Sequence, residues 1–190
     1  MTGRRCHLAF SVLALLVRCP ALGSAAPPTS APTTVAAPFT STKFAFSVQP
    51  PSDWSQVKGA SGTALSLVPQ SQANAKDLSL VPSLQMQVPD LPPHIPGMIP
   101  VGSVANGYVN DLRKQHPDLK VDERVVVPIP NASARRIVST FRNGQMTWRD
   151  IVLCIVHKDR VFLIVADCPA GDYPATRAAF DAMAGSLKWN

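Results

Sequence analysis

The feature that most constrains this chain lies at Asn143-Gly144, where two residues that both tolerate positive φ interrupt two runs of alternating apolar and polar side chains. Such a pair closes a tight antiparallel hairpin, so residues 133–142 are predicted to pair with residues 145–156. A second turn signal, His157-Lys158-Asp159-Arg160, follows at once and leads into the apolar run Val161 to Asp167. Together they predict a three-stranded antiparallel meander. Its middle strand reads Asp-Ile-Val-Leu-Cys-Ile-Val over residues 150–156 and is apolar on both faces, so both faces need cover.

The rest of the chain supplies more strands and two helices. Short alternating runs at Phe44 to Val48 and Ala64 to Val68, separated by Pro50-Pro51-Ser52-Asp53, read as strands. Leu84, Met86 and Val88 alternate with Ser83, Gln85 and Gln87, as in a strand with one buried face, and Pro82 marks the preceding half as an edge or bulge. Five prolines in residues 88–100 exclude regular structure there. A helix is predicted next, with Ser103 able to cap it and His116-Pro117 ending it. Val101, Val104, Ala105, Tyr108, Val109 and Leu112 form its apolar stripe. Val121 to Ile129 is a further strand. A last helix from Asp172 to Gly185 presents Ala179, Phe180 and Met183 at helical spacing, and Leu187 and Trp189 close the chain on the core. The predicted fold class is α+β, an antiparallel sheet flanked by helices.

The first 26 residues have the three parts of a secretory signal: Arg4 and Arg5, an apolar stretch from Leu8 to Val17, and small residues from Gly23 to Ala26. That stretch is too short to cross a bilayer as a helix, which takes about 18 residues or more. Cleavage is expected after Gly23 or Ala25, with a secreted or periplasmic destination. Cys19 offers a lipoprotein alternative, but the bulky Arg18 before it suits that poorly. Residues 27–40 have the Pro, Thr and Ala composition of a flexible linker, which leaves residues 41–190 as the domain.

Of the chain's 18 basic residues, the signal takes Arg4, Arg5 and Arg18 and no acid, so 15 basic stand against 12 acidic and the net charge falls from +6 to +3. With aromatic residues at 6% and no basic cluster interleaved with them, the pattern excludes nucleic acid as a partner. Cys6 and Cys19 leave with the signal. Pairing around Lys158-Asp159 sets Cys168 opposite Arg149, five residues from the level of Cys154, which is about 17 Å at strand rise and beyond disulfide reach. Two free thiols on opposite faces are expected.

Catalytic and cofactor motifs are missing. There is no Gly-x-Ser-x-Gly elbow and no phosphate-binding glycine loop, and His94, His116 and His157 have no partner at metal-ligand spacing, so no metal or cofactor is expected. One constellation follows from the predicted registers. Asp150 faces both Ile137 and Asp167, with Arg135 diagonal to it, so two carboxylates stand about 5 Å apart at Cβ. Such a pair can share a proton or hold a cation, although structural ion clusters are its commoner origin. On the other face Arg136, Arg142 and Arg149 gather near the hairpin and suit an acidic partner or anionic lipid, although a solvated sheet end is the commoner origin of such a group. In the proline-rich loop, Leu91, Ile95, Met98 and Ile99 are apolar enough to meet a partner if they do not cover the core. Asn131-Ala132-Ser133 is a glycan acceptor only in a eukaryotic secretory pathway.

The opening Phe-Ala-Phe-Ser-Val-Gln-Pro-Pro-Ser-Asp-Trp, the helix after a loop, the meander over residues 140–169 and the closing Gly-Ser-Leu-Lys-Trp resemble the PsbP-like family over residues 43–190. The resemblance implies an α/β/α sandwich, an antiparallel sheet between helices. The family includes a lumenal photosystem II subunit, a Ran-binding nuclear import factor and exported bacterial proteins, and this chain resembles the exported bacterial kind. It brings no catalytic motif. The reading is thus an exported, non-catalytic binding or scaffold domain with a protein or small-molecule partner in the envelope or outside the cell. Two rivals are a metal-dependent or hydrolytic enzyme using Asp150 and Asp167, which requires a pocket around them, and a structural envelope lipoprotein anchored at Cys19.

Overall fold

The protein is described by a computed structural model over residues 33–34, 37–90 and 99–190. The signal segment, Cys6, Cys19, Leu91, Ile95 and Met98 lie outside the described residues. In chain order the strands are β1 (Thr33–Thr34), β2 (Phe39–Ser41), β3 (Phe46–Val48), β4 (Trp54–Gln56), β5 (Thr63–Pro69) and β6 (Ser83–Gln87). Helix α1 (Val101–Gln115) follows, then β7 (Lys120–Ile129), β8 (Ala132–Asn143), β9 (Met146–His157), β10 (Arg160–Pro169), helix α2 (Tyr173–Gly185) and β11 (Lys188–Trp189).

Eight strands form one antiparallel sheet in the order β1-β4-β5-β6-β10-β9-β8-β7, and β11-β3-β2 form a small second sheet. Alternation along each strand divides the core in two. Ile151, Leu153 and Ile155 of β9 point to the face covered by α2 and the small sheet, where they meet Phe46, Phe162, Phe180 and Met183. Val152 and Cys154 of the same strand point to the other face, where α1 brings Val104, Ala105 and Val109. The middle strand of the meander is covered on both sides, as its composition demands.

The turn at Lys158-Asp159 gives the expected register, with Asp150 opposite Asp167 and Cys168 opposite Arg149. Cys154 and Cys168 are free and buried. The other hairpin differs. Asn143 pairs with Met146, so the loop is Gly144-Gln145 and only Gly144 (φ 62°) has positive φ. A two-residue loop with glycine first is the alternative hairpin solution to Asn-Gly as the central pair. The register slips by two residues: Asp150 faces Ser139, and Val152 faces Ile137. An even slip keeps every side chain on its predicted face.

Four smaller expectations also change. Ser103 does not cap α1, which starts at Val101 with the Pro100 carbonyl accepting from Ser103 N and Val104 N. Asp172 precedes α2 without a side-chain cap bond. Before Pro82 there is no strand: Leu78–Leu80 form a 3₁₀ turn, with the Asp77 carboxylate accepting from Ser79 N. Pro82 sits just outside β6, so its missing N–H costs the ladder nothing, and β6 is an interior strand between β5 and β10. Finally, pairing reaches into the linker composition: Thr33–Thr34 pairs with β4 at the sheet edge, and Phe39–Ser41 pairs with β3.

Candidate functional site

Asp150 is fully buried on β9 under α1. Its Oδ2 accepts from Tyr108 Oη at 2.6 Å and its Oδ1 from Ser139 Oγ at 3.2 Å. Asp167, its cross-strand partner on β10, is half-buried. Burial first, and the negative charge of Asp167 second, hold the Asp150 carboxyl well above the usual carboxylate range. Burial also raises Asp167, against the effects of its hydrogen bond to Asp150 and of nearby His116. Ionising both carboxyls side by side is disfavoured, so the arrangement suits a proton shared between them, with Tyr108 and Ser139 as further hydroxyl donors. The same burial, then the Asp150 charge, pushes the Cys154 thiol to about 12.

Arg135 does not join this group. The two-residue slip puts it opposite Cys154, four residues along β8 from Ser139, beside the first turn of α1. Sequence reasoning missed Tyr108 and Ser139 as members. The available signal was a tyrosine in an otherwise apolar helix stripe, because a buried phenol needs an acceptor. With α1 lying over it, Asp150 offers no surface to a substrate, and neither Asp150 nor Asp167 lines the concavities described below. Among the described residues no three His, Cys, Asp or Glu side chains are placed to hold a metal.

The three arginines separate. Arg136 Nε donates to Glu123 Oε1 at 2.7 Å and its Nη1 to Asp181 Oδ1 at 3.5 Å. Arg177 of α2 joins the same acids, at 2.7 Å to Asp181 and 3.9 Å to Glu123. Arg149 lies 3.8 Å over the Tyr173 ring and reaches Asp122 at 3.1 Å. Asp122 is the extra residue of a β-bulge in β7, which turns its carboxylate toward Thr140 and Arg149. Arg142 is exposed at the hairpin, where its backbone N donates to Asp118 Oδ2. Two of the three guanidinium groups thus tie α2 to the sheet. Of the loop residues, Ile99 is described and packs beside α1.

Among the described residues, two concavities stand apart from these groups. One is an open depression of about 640 Å³ where Val101 of α1 meets the end of the β7–β8 hairpin, lined by Val126, Pro128, Ile129, Ala132 and Ala134 among others. Strand β7 is the outer strand of the sheet, and Val126 on it is 72% exposed. The second, of about 310 Å³, lies between the β9–β10 turn and the segment leading into β3.

No family model and no curated protein matches the chain. Solved structures do. Cyanobacterial PsbP (CyanoP) from Synechocystis sp. PCC 6803 matches with a TM-score of 0.60 at 13% identity, over 89% of this chain and 99% of that one. LpqN of Mycobacterium tuberculosis, described as involved in cell envelope biogenesis, matches with a TM-score of 0.55 at 15% identity, over 75% and 82%. The Saccharomyces cerevisiae Ran-binding protein Mog1p matches with a TM-score of 0.53 at 10% identity, over 76% and 90%. The fold is therefore the PsbP-like one. Among the described residues no helix is long and apolar enough to cross a membrane.

Proposed function

We propose that this chain is an exported, non-catalytic binding domain, and that its partner is an extended polypeptide segment that pairs with β7 and lays apolar side chains into the depression beside it. The observation that carries this reading is Val126, 72% exposed on β7, which among the described residues is an edge strand of the eight-stranded sheet. An unpaired strand edge exposes N–H and C=O groups that a second strand satisfies, and neighbouring pockets then select its side chains. The bulge at Asp122 and the missing N–H of Pro128 restrict the open ladder to a few residues around Val125 to Val127. Proteins with the same fold include one that binds Ran and one involved in envelope biogenesis, which supports a binding role. Full burial of Asp150 beneath α1 supports it from the chemical side.

A photocrosslinking residue at position 126 of the full chain, expressed in its own host, is expected to trap a discrete product that is absent with the probe at Gln72 or when Val125 is changed to Glu. The same products at both positions overturn the surface. Export is tested by the N-terminus of the mature protein: Ser24 or Ala26 is expected, retention of Arg4 and Arg5 refutes export, and a lipidated Cys19 replaces free secretion with an anchor.

A further inference from the structure

The second concavity shares no lining residue with the β7 depression. It is rimmed by Lys43, Lys158 and Arg160 and floored by Phe44 and Phe162, with Asp159 as its one acidic side chain. Elsewhere in the fold Arg136, Arg149, Arg177 and Lys114 each find a carboxylate, while Arg113, Lys120, Arg135 and Lys188, among others, do not. Among the described residues, Lys43, Lys158 and Arg160 have no carboxylate within 4 Å. Lys43 and Arg160 are instead gathered by one aromatic ring, at 4.9 and 5.7 Å from the centroid of Phe44. A ring face attracts each cation singly and does nothing to cancel the repulsion between them. Three cationic side chains stand against one acidic side chain, Asp159, with Asn190, where the described residues end, also on the rim.

The backbone shapes the cup. Lys158 (φ 53°) is the first residue of the two-residue β9–β10 loop, where hairpin geometry requires positive φ, and Ala45 (φ 54°) takes the same region just before β3. The walls are fixed too. His157 Nδ1 pairs with the Asn131 carbonyl at 2.8 Å, and its ring stacks on Trp189 at 4.0 Å with 3° between the planes. Nδ1 therefore donates, which holds the ring in place between the Asn131 carbonyl and Trp189.

We propose that this cup binds a phosphate monoester, its dianion matched by Lys43, Lys158 and Arg160 and its apolar part resting on Phe44. A volume of about 310 Å³ suits a small group rather than a folded partner. The phosphoryl chemistry is common to a free small molecule and to the headgroup of phosphatidic acid, and the test separates the two.

Inorganic phosphate titrated into the mature protein, followed by amide chemical shifts, is expected to give saturable changes confined to residues 43–45 and 157–160. Lys158→Asn removes a charge while placing a residue at ease with positive φ in the turn, so it keeps the fold, and it should weaken binding about tenfold, as should Arg160→Gln. Phosphatidylcholine vesicles with and without phosphatidic acid form the second arm. Cosedimentation that requires phosphatidic acid and is lost in Lys158→Asn assigns the headgroup, and phosphate binding without cosedimentation assigns a small molecule. Phosphate shifts that do not saturate, or that persist unchanged in both variants, overturn the site.

Discussion

A carboxyl that is fully buried and raised contributes to stability in its protonated form, and this fixes the sign of its pH dependence. Asp150 in the unfolded chain titrates near 4, and in the fold it titrates higher because burial and Asp167 disfavour its charge. Its contribution is complete below the unfolded value and is lost as pH rises toward the folded one, at up to about 1.4 kcal/mol per pH unit for one proton. Asp150→Asn keeps an acceptor for Tyr108 and offers N–H donors to Asp167. Urea unfolding from about pH 4 to pH 8 should therefore show the variant losing less stability than the parent as pH rises, and parallel curves would refute the shared proton. Tyr108→Phe removes a donor from a buried acceptor and is expected to cost about 1–3 kcal/mol in the same assay. The thiols follow the same physics: burial drives Cys154 to about 12 and Cys168 to about 11. In the native protein Cys154 and Cys168 should resist alkylation at neutral pH, and unfolding should make both reactive.

At the scale of the element, the β8–β9 hairpin makes a sharp distinction between two adjacent residues. Gly144 alone adopts positive φ, and nothing lies within 4 Å of where its Cβ would be, so Gly144→Ala meets conformational cost only. That cost is about 1–2 kcal/mol, whereas Asn143, paired with Met146 in the ladder, should tolerate alanine within about 0.5 kcal/mol. Thermal unfolding of the two variants decides it, and equal losses would restore Asn143 to the turn. The arginine cluster teaches a different lesson. Arg136 and Arg177 bridge β7 and α2 through Glu123 and Asp181, but these side chains are partly solvated, so each pair contributes less than about 1 kcal/mol. The cluster orients α2 more than it stabilises it. The hairpin, the helix stripes and the pairing of Asp150 with Asp167 were legible because turn chemistry and periodicity act over a few residues. The two-residue slip was not, since alternation repeats every two residues and cannot detect it.

Over the whole molecule, the folded region starts earlier than composition suggests. Phe39 of β2 meets the Phe46 ring at a centroid distance of 6.0 Å and packs against the main core, so a chain begun at Lys43 loses this contact and the β2–β3 pairing. Relative to a chain begun at Pro27, its melting temperature should fall by about 2–4 °C for each kcal/mol lost, and an unchanged melting curve would return residues 39–41 to the tether. Linker composition hid these strands because Thr and Phe pair wherever an edge is offered, and the edge belongs to β3, which follows later in the chain. The same holds for β7: its sequence reads as an ordinary strand, and only the order of the sheet leaves Val126, among the described residues, with a partner strand on one side alone, at Arg135 of β8. By itself the sequence determined the meander, the two covered faces, the two helices and the separation of the thiols, each set by local turn geometry or by the period of burial. Tertiary structure alone decided which hydroxyls cover Asp150, which acids consume Arg136 and Arg149, which cations stay unpaired around Phe44 and which edge stays open. Those outcomes depend on segments far apart in the chain meeting within a few ångströms, and no short-range pattern encodes that distance.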